Sequence, residues 1–240
     1  MKIVAKTDVG MVRESNQDSY TTGELPNGVA WAVVCDGMGG AAGGNVASST
    51  AVKVIAEQIT SSFRPGMSAN SIKNMMVSAI NAANISVYDI SCSNSELYGM
   101  GTTVVCAIVM EHTAYIAHAG DSRAYIVSHG ALTQLTRDHS VVQELVEHGK
   151  ITALEAKRNK NIITRAVGMS REILVDFSEQ EMKDGDVLLL CTDGLTNFVE
   201  SDEMCDLTKD DMFYEFAERL VDRANKNGGG DNVTVVAVTY

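Results

Sequence analysis

The chain has 240 residues, 45% of them hydrophobic, enough to bury a sizeable core in one large domain or two small ones. Its formal net charge of −12 argues against a nucleic-acid ligand, because phosphate backbones need a basic surface. No segment approaches the roughly 18 uncharged apolar residues of a membrane span. Residues 1–8 lack the layout of a signal peptide, so a cytoplasmic location is the default expectation.

In chain order, 29–35 (VAWAVVC) is a continuous apolar run between Asn27-Gly28 and Asp36-Gly37, which predicts a strand covered on both faces. Helices are expected over 44–62 and 68–92; the second carries Ile72, Met76, Ile80, Ala83 and Val87 at helical spacing. That stripe reads as core packing. Strands follow at 102–110, 113–119 and 124–127, with tight turns at Glu111-His112 and Gly120-Asp121. The spacing leaves no room for crossover helices, so this part is expected to form an antiparallel meander. Residues 139–171 are polar, with two short helical patches, and read equally as an excursion from the scaffold or as a plain surface loop. Strands at 187–191 and 233–239 flank an amphipathic helix at 212–227 that stops at Gly228-Gly229-Gly230. Strands and helices in this arrangement predict an α+β fold. The only prolines are Pro26 and Pro65, so no proline-rich linker divides the chain, and one domain over 1–240 is expected. The cysteines (35, 92, 106, 191 and 205) are odd in number and form no Cys-x-x-Cys pair, which fits reduced thiols rather than a disulfide frame or zinc knuckle.

One chemical feature recurs. Apolar runs stop at Asp36 and at Asp193, each followed by glycine; Asp231 leads straight into a third run, and Asp121 lies between two more. Any one of these is ordinary turn chemistry. Four at the ends of core strands can converge, and converging carboxylates stay ionised only if cations join them. Hard ions such as Mg²⁺ or Mn²⁺ suit carboxylate and carbonyl oxygens, and no histidine-rich set points to zinc or iron. Arg13 precedes Asp18 by five residues; if Asp18 joins the cluster, Arg13 is placed to bind phosphate through two bonds.

These residues resemble the metal-dependent Ser/Thr protein phosphatases of type 2C in their compact bacterial form. The likeness rests on Arg13-x-x-Asn16-Gln17-Asp18, Asp36-Gly37-Met38-Gly39-Gly40, Gly101-Thr102-Thr103 and Gly120-Asp121-Ser122-Arg123. It continues in Thr136-Arg137-Asp138-His139, Arg165-Ala166-x-Gly168, Thr192-Asp193-Gly194 and Gly230-Asp231-Asn232-Val233-Thr234. The resemblance implies two antiparallel sheets packed as a β-sandwich, with helix pairs outside. It implies that Asp36 bridges two ions, the Gly37 carbonyl binds one, and Asp193 and Asp231 complete the other. Asp18 would act through metal-bound water, and Asp121 with Asp193 would hold a third, weaker ion. Arg13 would grip the substrate phosphate, and 139–171 would be a flap. Two metals about 4 Å apart can hold a hydroxide and lower its pKa towards neutrality. The implied reaction is therefore hydrolysis of phosphoserine and phosphothreonine in proteins by that bridging hydroxide, with no covalent intermediate. Mn²⁺ or Mg²⁺ is the implied cofactor, and phosphorylated proteins, with a Ser/Thr kinase among them, are the implied partners of a monomer.

One departure stands out. Many family members place a histidine in or just after the Asp-Gly motif, where it can protonate the leaving alkoxide. Here the positions read Met38, Gly39, Gly40, Ala41 and Ala42, which leaves water as the expected acid, with His139 as the alternative. Two other readings fail. Residues 37–42 fit G-x-G-x-x-A, but Glu57, the acid a dinucleotide site needs, lies in a helical run. No cysteine is followed six residues later by arginine, as a thiolate phosphatase requires. A metal-free binding module on the same fold is the remaining alternative, and the presence of Asp36, Asp193 and Asp231 counts against it.

Overall fold

Residues with apolar side chains on both faces of a strand must be covered twice, and two strands of this chain set the frame in that way. Strand β3 (Val29–Met38) turns Val29, Trp31 and Val33 to one core and Ala30, Ala32 and Val34 to another. Strand β5 (Val104–Met110) does the same with Cys106 and Ile108 against Val105 and Ala107. The computed structural model describes residues 1–151, 162–208 and 213–240, and its strands form two antiparallel sheets.

Sheet A runs β1 (Lys2–Asp8), β11 (Val233–Thr239), β10 (Val187–Cys191), β7 (Arg123–Ser128) and β8 (Ala131–Gln134). Sheet B runs β2 (Asp18–Leu25), β3, β5, β6 (Thr113–Ala119) and β9 (Asp176–Glu181), with the short β4 (Gly101–Thr102) on the end of β3. The sheets face each other across Ala32, Val34, Leu188, Leu190 and Val236. Helices α1 (Gly40–Ser62) and α2 (Ala69–Ser93) cover sheet B through Ile55, Ile59, Ile72 and Met76. Truncating Ile55, which is 0% exposed, to alanine would cost about 2–5 kcal/mol. After the short helices α3 (Val141–Glu147), α4 (Asp193–Thr196) and α5 (Ser201–Leu207), helix α6 (Phe216–Lys226) covers sheet A with Phe216, Leu220 and Val221. The result is the α-β-β-α sandwich that the resemblance implied.

Local chemistry explains the ends of these elements. The Ser68 hydroxyl caps α2 by accepting from the Ser71 amide. The β5–β6 turn places Glu111 and His112 at φ 49° and 63°, the two left-handed residues of a tight hairpin. Helix α6 closes with the Gly229 amide donating to the Ala224 carbonyl.

The structure corrects several expectations. Residues 102–135 are antiparallel but are not one meander: β5 and β6 pair in sheet B, whereas β7 and β8 pair in sheet A. The chain changes sheets at Gly120, whose φ of +119° few side-chain-bearing residues could adopt. Strands β1, β2 and β9 went unpredicted because they are polar and only half-buried. The helix expected from 212 begins as a helical turn at Phe213–Glu215 and is α-helical from Phe216; residue 212 lies outside the described residues. Of the two helical patches expected in 139–171, one is α3, capped by Ser140, and residues 152–161 lie outside the described residues.

Candidate active site

The strand ends converge at one edge of the sandwich. The register places Asp18 at the start of β2 directly opposite Asp36 on β3. Asp193 begins α4 just after β10, Asp231 lies just before β11, and Asp121 follows the crossing at Gly120. Both sheets therefore contribute. A cleft of about 700 Å³ opens here, and Arg13, Asp36, Gly37, Asp121, Asp193 and Asp231 all line it. Asp18, at 8% exposure, stands behind them. The structure thus gathers Arg13 and every expected metal ligand, with Asp18 in the layer beneath, whereas His139, the alternative acid, does not line the cleft.

Close backbone packing makes this convergence possible. A Cβ on Gly37 would lie 2.0 Å from the Gly44 carbonyl oxygen, so only glycine lets α1 sit this near β3. The Gly37 amide donates to the Gln17 carbonyl at 3.1 Å, and the Gln17 amide donates to Asn232 Oδ1 at 2.8 Å. Asn232 in turn donates to the carbonyls of Val9 and Ser15, tying the Arg13 loop to Asp231. The Asp36 amide donates to Thr103 Oγ1 at 2.9 Å. Thr192 and Thr234 each donate a hydroxyl to Asp18 Oδ2, at 2.9 and 2.7 Å. The roles of Thr103, Thr192, Thr234 and Asn232 were not anticipated. Their motifs were visible, but nothing local reveals which carboxylate a threonine reaches across the sandwich.

The electrostatics of the cluster are unfavourable for bare carboxylates. Burial, then the charges of Asp18, Asp193, Asp121 and Asp231, push Asp36 well above the usual carboxylate range. Burial raises Asp18 to about 7, although the threonine hydroxyls favour its charged form. Burial and the Asp193 charge raise Asp121 to about 7. Asp193 is raised by burial and Asp231, against a 3.0 Å bond from Asn197. Two buried oxygens, Asp18 Oδ1 and Asp193 Oδ1, accept no hydrogen bond. Oxygen-only donors, mutual repulsion and unsatisfied lone pairs together fit hard divalent cations. Arg13 Nη2 meets Asp231 Oδ2 at 2.8 Å, on a side chain that is 54% exposed. The uncapped first turn of α1 begins at Gly40 on the cleft wall, where its amides favour an anion.

A second cluster lies behind Asp121. Ligand atoms of His118, His139 and Asp176 lie within 4.8 Å of one another, and the two imidazoles stack with centroids 4.7 Å apart. Spacing alone would admit an ion, but both ring nitrogens of His139 are engaged. His139 Nδ1 accepts from the Gly120 amide at 3.1 Å, so its proton sits on Nε2, which donates to Asp176 Oδ2 at 3.2 Å. His118 Nε2 donates to the Arg137 carbonyl at 2.9 Å. This is a hydrogen-bonded relay.

The sandwich of two antiparallel sheets is shared with known proteins. The family model for protein phosphatase 2C matches residues 12–234, and the chain belongs to that family. It is 37% identical over 236 residues to the serine/threonine phosphatase stp of Listeria monocytogenes, covering 97% of this chain and 93% of that protein. A serine/threonine phosphatase structure from S. agalactiae superposes with a TM-score of 0.92 at 31% identity, over 100% of this chain and 99% of that one. The catalytic domain of the phosphatase PstP, solved with two manganese ions, gives a TM-score of 0.86 at 33% identity, over 98% and 96%.

Proposed function

We propose that this chain hydrolyses phosphoserine and phosphothreonine esters in proteins, as a single catalytic domain over 1–240 whose cleft holds divalent metal ions. The observation that carries this reading is the convergence of Asp36, Asp121, Asp193 and Asp231 on one cleft with Asp18 beneath, where two buried oxygens find no donor. Asp36, the Gly37 carbonyl, Asp193 and Asp231 would hold two core ions, Asp121 with Asp193 would hold a third, and Asp18 would support them from the layer beneath. When bound, such a pair supplies Lewis acidity and a water of lowered pKa. Mn²⁺ is the favoured metal, on the strength of the two manganese ions in the PstP structure.

The chain's own residues do the rest. Arg13 exchanges its Asp231 partner for two phosphate oxygens, and the first turn of α1 faces the remaining charge. Thr192 and Thr234 fix Asp18 through Oδ2 and leave Oδ1 for water. No cysteine or histidine lines the cleft among the described residues, which supports direct attack by water and protonation of the leaving alkoxide by water. Of the segment expected to form a flap, residues 152–161 lie outside the described residues and Ile163 lines the cleft. The physiological setting is an acidic, monomeric cytoplasmic enzyme acting on phosphorylated proteins, a Ser/Thr kinase among them. No helix among the described residues is long and apolar enough to cross a membrane.

Release of phosphate from a phosphothreonine peptide, dependent on added Mn²⁺ and without a phosphorylated protein intermediate, is the expected result. Peptide binding without turnover, and no metal bound by calorimetry, would establish the inactive binding module instead.

A further inference from the structure

We infer that His139 is a positioning residue that clamps the peptide ahead of Asp121 and so sets the affinity of the metal step to which Asp121 contributes. The inference rests on the reading of Asp121 as a ligand of the third, weaker ion.

The clamp uses both polar groups of Gly120. The Gly120 amide donates to His139 Nδ1 at 3.1 Å, and the His139 amide donates to the Gly120 carbonyl at 2.9 Å. Gly120 needs this hold. Its φ of +119° is a sheet-to-sheet crossing, with no ladder partner on either side to fix it, and the next residue carries the carboxylate. His139 is 2% exposed, too deep to touch substrate.

His139 is itself braced from β9. Its Nε2 donates to Asp176 Oδ2, and Arg165 Nη1 donates to Asp176 Oδ1 at 2.6 Å. Burial alone would raise Asp176, but the bonds from Arg165 and His139 outweigh it and hold this carboxylate below its usual range. The imidazole therefore faces an anion at Nε2, which fixes the tautomer that leaves Nδ1 free to accept. The Thr164 amide also donates to the His139 carbonyl at 2.8 Å, next to Ile163 on the cleft wall. His139 thus joins the Arg165–Asp176 pair and the Asp121 turn through its ring, and the cleft wall at 163–164 through its backbone.

Two measurements test this. Calorimetric titration with Mn²⁺ resolves the binding steps, and hydrogen exchange at the Gly120 amide in metal-free protein reads the clamp itself. His139→Phe keeps the shape and the backbone bond to the Gly120 carbonyl but loses both ring bonds, to the Gly120 amide and to Asp176. It should weaken only the weakest metal step, by about tenfold, and speed Gly120 exchange by a similar factor, the scale of one hydrogen bond. His139→Asn places an oxygen near the lost Nδ1 and should restore both to within about threefold of wild type. Asp176→Asn, remote from the cleft, should move both by about threefold. Equal weakening of all steps, unchanged Gly120 exchange in the phenylalanine variant, or no rescue by asparagine would each overturn the inference. Faster exchange in a protein whose wild type binds no Mn²⁺ would support the clamp and overturn the metal reading instead.

Discussion

Two groups of titratable side chains lie on either side of Gly120, and they are built oppositely. In front, five aspartates crowd together, burial and mutual charge push four of them upward, and two oxygens lack any donor. Behind, His118, His139 and Asp176 are nearly saturated, their hydrogen bonds supplied by Gly120, Arg137 and Arg165. The rear group has the closer spacing that metal sites show, yet both nitrogens of its central His139 are taken. Unmet demand, rather than proximity, marks the place where a cation belongs.

The largest expected effect breaks the front group. Asp36→Asn or Asp193→Asn should lower Mn²⁺-dependent phosphate release by about 10³-fold or more, because each holds charge at the reacting centre. The same variants should melt higher than wild type when metal-free, since each removes a buried repulsion. A lower melting temperature would show that the carboxylates are satisfied after all. Arg13→Ala should cost about 10²-fold in kcat/KM on a phosphothreonine peptide, the worth of a two-bond charge-assisted contact. A loss confined to metal affinity would reassign Arg13 to its partner Asp231. Replacing both Thr192 and Thr234 by valine strips the hydroxyls from Asp18 and should reduce activity about tenfold at saturating metal.

Acidity sharpens the contrast. Asp18 and Asp121 have folded pKa values near 7, raised from 3.8, so the folded metal-free protein keeps protons that the unfolded chain releases. Their contribution to stability is therefore full below about pH 4, falls as pH rises towards 7, and is level above that. Metal-free protein should melt about 5 °C or more higher at pH 5 than at pH 8, given about 2–4 °C per kcal/mol in a chain of this size. Saturating Mn²⁺ should stabilise most at pH 8. A pH-independent difference between the metal-free and loaded forms would count against the cluster. The smallest effect concerns the rear group: His139→Ala should slow alkyl and nitrophenyl phosphates by the same factor, to within about twofold. A proton donor's loss would cost the alkyl ester about 10²-fold more.

What the sequence made legible follows from burial. The strands at 113–119, 187–191 and 233–239 match end to end, because an apolar run between turns has few other solutions. The edge strands β1, β2 and β9 carry lysines, threonines and glutamates, which serve solubility at an edge and erase the pattern. Asp36 and Asp193 stand out because apolar runs stop at them. The contacts of Asn232 and the hydroxyls serving Asp18 span 174 to 223 residues of separation and leave no local trace. The sheet change at Gly120 resembled an ordinary turn, since glycine serves both purposes.

Strand β11 lies between β1 and β10, so the last strand of the chain completes the interior of a sheet whose other edge was made first. Asp231 sits immediately before it. Residues 1–200 carry Asp18, Asp36, Asp121 and Asp193 but lack both Asp231 and the strand that pairs with β1 and β10. A chain cut before Asp231 should therefore lose a cleft carboxylate and the strand that joins β1 to β10 together, and circular dichroism with Mn²⁺ titration of such a truncation would read both losses.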